Sequence, residues 1–91
     1  MKYVVLGKIG PRWGEDPVKR VEAVHTKLHE LNITPETILY TQGPYDFVEV
    51  VRGEPRAMLA LSLWYNTQGF GQLTTLPAFT MPEVHEAVEQ V

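Results

Sequence analysis

The sequence predicts an α+β fold: a β-α-β-β-α-β chain of the split βαβ, ferredoxin-like kind, closed by a short C-terminal helix. The expectation rests on a strand–turn–strand signal centred on Gly43-Pro44 and on helical apolar spacing in a segment on either side of it. Extended, β-branched segments at both outer ends complete the pattern. The implied architecture is a four-stranded antiparallel sheet with two helices on one face.

In chain order, Lys2 to Ile9 reads as the first strand, and Gly10-Pro11-Arg12-Trp13-Gly14-Glu15 as a loop by its Gly/Pro content. Asp16-Pro17 then starts a helix, a capping carboxylate followed by proline at the first helical position. That helix carries Val18, Val21, Val24, His25, Leu28 and Leu31 along one side, with Lys19, Arg20, Lys27 and Glu30 toward solvent. Asn32 ends it, and Thr34-Pro35 leads into a strand over Glu36 to Gln42. Gly43 can take a positive φ and Pro44 lacks an N–H, so the pair belongs in a turn. Tyr45 to Arg52 is the returning strand, with Asp46 expected to cap the turn locally.

Gly53-Glu54-Pro55 opens a second helix through about Asn66. Its Met58, Leu59, Leu61, Leu63, Trp64 and Tyr65 spread around more than one face, the pattern of a helix covered from two directions. A last strand follows over roughly Phe70 to Phe79. Thr80-Met81-Pro82-Glu83 is a capping box, and the terminal helix has Val84, Ala87, Val88 and Val91 on one side.

Composition narrows the function classes. Ninety-one residues make one domain, 44% apolar and 21% charged, which excludes wholesale disorder. Eight basic against eleven acidic residues, with no basic stripe, argues against nucleic acid as a partner. The absence of cysteine removes disulfides, thiol catalysis and thiolate metal sites together. No window approaches a membrane span and Met1 to Lys8 is too short for a signal sequence, so a soluble, cytoplasmic protein is expected.

The strands are apolar on both faces. Val4 and Leu6 alternate with Tyr3, Val5 and Ile9, and Val48 and Val50 alternate with Phe47 and Val51. Helices cover only one sheet face, and leaving about five such side chains in water forgoes on the order of 10 kcal/mol. That rivals the whole stability of a small domain, about 5–15 kcal/mol. A second copy of the chain, joined through a two-fold axis, is the expected cover, with the terminal helix as the competing one.

Gly43-Pro44-Tyr45-Asp46, with Leu39-Tyr40-Thr41 before it and Phe47-Val48 after it, resembles the signature of the GYD domain family. So do Leu59-Ala60-Leu61-Ser62-Leu63, Gly69, and Thr75-Leu76-Pro77-Ala78-Phe79, in the family's order. The resemblance covers roughly the last three fifths of the chain. It implies a ferredoxin-like domain related to the dimeric α/β-barrel proteins. It implies little about activity, because the family is described mainly as bacterial proteins of unknown function. Relatives in the wider superfamily include small isomerases, monooxygenases and ligand-sensing modules, among which fold analogy does not choose. A basic residue frequent in the family's last strand is replaced here by Gln72, which weighs against an anion site at that position.

The candidate site follows from strand parity. With Val48 and Val50 assigned to the helix side, alternation sends Tyr45, Phe47, Glu49 and Val51 to the opposite, open face. Tyr40, Gln42, Gln72 and Thr74 are assigned to that face as well. Glu49 among apolar neighbours is costly unless it is paired or lines a wet cavity. If buried, its pKa rises and it can serve as acid or base, with Tyr45 or Tyr40 as donor. The plainer reading pairs Glu49 with Arg52, Lys8 or a partner subunit.

His25 and His29 are spaced for one helix face, but no acidic third ligand accompanies them, and no metal is expected. His85 reads as a surface residue. Trp13, Trp64 and Tyr65 read as core and interface anchors rather than a binding lip. The glycines at 69 and 71 lack the Lys-Ser/Thr and following helix of a phosphate loop. The functional expectation is an oligomeric domain that binds a small, partly apolar molecule on the open sheet face, with no cofactor. The alternatives are a cofactor-independent isomerase or monooxygenase using Glu49, and a structural association module.

Overall fold

The computed structural model of the chain describes residues 1–10 and 17–91; the expected cap at Asp16 and the loop carrying Trp13 lie outside them. Its elements run β1 (Lys2–Ile9), α1 (Pro17–Glu30), β2 (Thr34–Tyr40), β3 (Phe47–Arg52), α2 (Pro55–Thr67), β4 (Gly71–Ala78) and α3 (Met81–Val88). The strands form a four-stranded sheet in the order β2-β3-β1-β4, with every neighbouring pair antiparallel. This is the predicted α+β, ferredoxin-like arrangement.

Local chemistry sets the element boundaries. Helix α1 ends where Asn32 adopts a left-handed φ of 56°. The Ile33 N–H then reaches back to the Leu28 carbonyl at 2.8 Å and the Asn32 N–H to the His29 carbonyl at 3.1 Å. These are the paired bonds of a Schellman ending, and its usual apolar clasp is present because Leu28 and Ile33 are both buried. Strand β2 begins two residues earlier than expected. It tolerates Pro35 because it is an edge strand, with a bulge between Pro35 and Thr37. In the β2–β3 turn Gly43 has a φ of 113°, a conformation open chiefly to glycine.

One core layer lies between the sheet and helices α1 and α2. Tyr3 and Val5 of β1, Val51 of β3, Leu28, Ile33, and Met58 and Leu61 of α2 form its main cluster. Phe47, Tyr65 and Phe70 form a second cluster beside it, their rings meeting edge to face. Arg20 was expected on the solvent side of α1, yet it is buried, its guanidinium 4.9 Å from the centre of the Phe70 ring. A planar, weakly hydrated guanidinium takes a buried position on an aromatic face at lower desolvation cost than an ammonium. On the outer side of α2, Leu59 and Leu63 stay exposed, so among the described residues the helix is covered from one direction only.

Among the described residues no element covers the other sheet face. Antiparallel register aligns Leu39, Val48, Leu6 and Thr74 across the strands, and beside them Thr37, Val50, Val4 and Leu76. Next along the strands come Arg52 and Lys2, both bound to Glu36: the Arg52 Nε–H donates at 2.6 Å and the Lys2 ammonium lies at 3.2 Å. The two cations, Arg52 first, hold the Glu36 carboxyl below its ordinary pKa. Helix α3 does not cover this face. Its capping box forms as expected, with Thr80 N–H donating to Glu83 Oε1 at 2.9 Å. None of its residues is buried, and Met81, Val84 and Val88 stand exposed.

Candidate functional site

Strand β3 is apolar in both phases, and the core decides between them. Val51 is fully buried against the main cluster, and Phe47 packs against Tyr65 and Phe70. Phe47, Glu49 and Val51 therefore face the helices, while Val48 and Val50 take the open face, the reverse of the parity expected from sequence. The reason sits on the neighbouring strand. Gly7, paired with Phe47, has no side chain, and the Phe47 ring lies in the space a β-carbon would fill.

The reversal relocates the site. Tyr40, paired with Phe47, and Glu49 share a cavity of about 280 Å³ between the sheet and the two helices, not a surface on the open face. Its inner wall is Val5, Leu28, Phe47, Tyr65 and Phe70; its mouth is Val21, His25, Ile38 and Tyr40. Helix α1 is docked through Leu28 and Arg20, while Val18 and Val21 on it remain exposed. The remaining expected residues are elsewhere. Gln72 and Thr74 of β4 lie exposed on the open face, opposite Lys8 and Leu6. Gln42 is exposed in the turn, and Tyr45 is half-buried there with the Lys8 ammonium 5.9 Å from its ring centre.

Glu49 sits between Val5 and Ile38 on the neighbouring strands. It has no hydrogen bond or ion pair among the described residues, and burial pushes its carboxyl pKa up. The pairing with Arg52 or Lys8 does not form: Arg52 is held by Glu36 on the other face, and Lys8 lies over Tyr45. Tyr65 is buried, and its phenol pKa is raised, first by burial. Arg20 opposes that rise, and Tyr40, Asp46 and Glu49 add to it, so these groups share one electrostatic neighbourhood. An apolar chamber with a few convergent polar groups can hold a small molecule, and an unpaired, destabilised carboxylate can exchange a proton with one.

Asp46 corrects a second expectation. Rather than capping its own turn, its Oδ2 accepts the Ile9 N–H at 2.7 Å, while its own N–H donates to the Gly7 carbonyl at 2.8 Å. The side chain thus continues the β1–β3 ladder beyond the last residue of backbone pairing and ties the turn to the end of β1. Sequence reasoning also missed Arg20 and Tyr65 as cavity residues. Spacing held the signal for both: Arg20, Val24 and Leu28 recur every fourth residue on α1, and Tyr65 follows Met58 and Leu61 on α2. His25 and His29 are both exposed, His25 at the cavity mouth. Among the described residues no group of His, Asp or Glu is placed to hold a metal ion.

Fold and cavity together define a ferredoxin-like domain with a helix-side chamber and a sheet face that no described element covers. The sequence profile of the GYD domain family matches residues 3–88, nearly the whole chain. The chain belongs to that family. No curated protein matches it, and among the described residues no helix is long and apolar enough to cross a membrane.

Proposed function

We propose that this chain is a homo-oligomeric domain that binds a small, partly apolar molecule in the chamber between sheet and helices. The observation that carries the reading is Glu49, a carboxyl without a protein partner among the described residues, in a chamber otherwise walled mainly by apolar and aromatic side chains. A group in that position is satisfied by water or by a ligand. The chamber is also large enough: about 280 Å³ exceeds the roughly 150 Å³ cavity that accepts benzene.

Association is supported by the open face, whose apolar centre is flanked by Lys2, Arg52 and Glu36, an apolar core with a polar border. Four strands at ~4.8 Å spacing and about seven residues long present roughly 450 Å² in flat projection. Side-chain relief raises that figure, toward the ~800 Å² per partner of a stable interface. Because the chamber is on the other side of the sheet, a dimer through the open face leaves it free. Association and binding are therefore compatible rather than competing readings.

Protein-observed NMR with a library of small aromatic and alicyclic fragments tests the binding reading. Shifts at Val24, Leu28, Glu49 and Tyr65 support it; a library that perturbs none of them overturns it. The enzyme reading is favoured by the same unpaired Glu49 with its raised pKa, with Tyr65 and Tyr40, in place of Tyr45, as donors in reach of the chamber. An activity lost in Glu49→Gln without unfolding would select it.

A further inference from the structure

Glu49 enters the chamber from β3, between Val5 of β1 and Ile38 of β2, and no other carboxylate of the described residues lines it. We infer that the chamber takes up a neutral, mainly apolar ligand together with one proton, which Glu49 holds for as long as the ligand is bound. The inference rests on the binding reading given above.

The carboxyl is half-buried and receives no hydrogen bond or ion pair from the described residues. Several cations that could settle it are engaged elsewhere: Lys2 and Arg52 with Glu36 across the sheet, Lys8 over Tyr45, and Lys27 with Glu30 at 3.1 Å. As an ion, Glu49 therefore depends on solvent in the chamber, and a ligand filling part of that 280 Å³ displaces it. Lost hydration disfavours only the charged form, so the ligand raises the carboxyl's affinity for a proton. By reciprocity the proton raises the affinity for the ligand by the same factor. Burial by the chain's own walls already acts on Glu49 in that direction.

The other groups at the chamber do not take over this role. Helix α1 brings Arg20, packed on the Phe70 ring, and His25 at the mouth; β2 brings Tyr40 and α2 brings Tyr65; β1 and β4 bring Val5 and Leu73. Arg20, Tyr40 and Asp46 act on the Tyr65 phenol, whereas burial alone shifts Glu49. The rival to the proton is a ligand ammonium. Pairing it with Glu49 takes two ions out of water, a cost repaid only where further hydrogen bonds satisfy both. The wall beside Glu49, built from Val5, Ile38 and Phe47, offers carbon instead.

Ethylbenzene and benzylammonium form the test pair, since they share a shape and differ in charge. Their affinities are measured by NMR titration from about pH 8 to about pH 5, the span over which a raised carboxyl titrates. A ligand that raises the Glu49 midpoint binds best below the free midpoint, and its affinity falls as the pH climbs toward the bound one. Ethylbenzene is therefore expected to bind several-fold more tightly at the acid end, by at most about tenfold per unit of pH. In Glu49→Gln its affinity becomes independent of pH; in His25→Asn the trend persists. Carboxyl-labelled NMR of the unaltered protein is a second measure that needs no variant: ethylbenzene should raise the Glu49 midpoint.

Ethylbenzene that binds equally at every pH and leaves the Glu49 midpoint in place overturns the coupling and leaves the chamber as a binding site. So does benzylammonium binding the more tightly and lowering that midpoint, which would make the chamber a cation site. A trend that survives Glu49→Gln, or vanishes in His25→Asn, also overturns it. If neither compound perturbs the chamber, the binding reading itself falls, and the coupling with it.

Discussion

Replacing Gly7 with alanine tests the packing on which the chamber depends. A β-carbon at Gly7 would come within 2.5 Å of Phe47 Cε2 and closer still to Cζ and Cε1. Ordinary carbon contacts begin near ~3.5 Å, so the ring must retreat by roughly 1–1.5 Å. It is hemmed by Tyr40 and Tyr65, whose rings meet it edge to face at 6.4 and 6.5 Å. The open direction is into the chamber. Overpacking of this kind costs about 1–3 kcal/mol, and disturbing an aromatic pair adds about 0.5–1.5 kcal/mol. With the chamber relieving part of the strain, the expected loss is about 2 kcal/mol, and the space available to a ligand shrinks. Urea unfolding followed by tryptophan fluorescence measures it. Phe47→Leu in the Gly7→Ala background should recover at least ~1 kcal/mol relative to additivity, because the shorter side chain vacates the contested space. A Gly7→Ala protein within ~0.5 kcal/mol of wild type, or a strictly additive cycle, would refute the reasoning.

Other consequences can be measured in parallel. Glu49 has a folded-state pKa above its unfolded value, so its penalty is absent below the unfolded pKa and grows as pH rises through the folded one, by about 1.4 kcal/mol per unit of difference. Glu49→Gln should therefore be more stable than wild type near pH 8, with the gap closing toward about pH 4; a pH-independent difference in urea midpoints would contradict this. Asp46→Ala strands the Ile9 N–H and should cost about 1–3 kcal/mol in thermal or urea unfolding, whereas Asp46→Asn, which keeps an acceptor, should lose less. Leu6→Glu and Val48→Lys, on the open face, should yield monomers by light scattering with unchanged circular dichroism; an unchanged mass would remove that face as the interface.

Element order was legible because each helix has apolar residues at helical spacing and each boundary carries its own chemistry: Asn32 for the Schellman ending, Gly43 for the turn, Thr80 and Glu83 for the capping box. The facing of β3 was not. Phe-Val-Glu-Val-Val is apolar in either phase, and Glu49, the only charge inside that run, suggested an outward phase although it lines an internal chamber. What settles the phase is the meeting of Gly7 with Phe47, forty residues apart in sequence, visible only once register is known. Asp46 is a similar case: a short carboxylate beside a turn has a local use by default, and its bond to Ile9 spans a separation of 37 residues. The candidate site was accordingly half legible. Glu49, Tyr40 and Phe47 are grouped together by sequence, but on the wrong side of the sheet, while Gln42, Tyr45, Gln72 and Thr74 fall away from the chamber.

Among the described residues helix α3 buries none of its side chains. Eight residues with a capping box fall short of the ~12–15 at which an isolated helix becomes even marginal in water. On the oligomeric reading its order is supplied by the partner copy and becomes a function of protein concentration. Amide exchange along Val84 to Val88 would slow as the protein is concentrated and quicken on dilution, while the β1 and β3 amides hold steady. Helix α3 would thus act as a built-in gauge of assembly, and a bulky group fused beside it would alter the quantity it was meant to help measure.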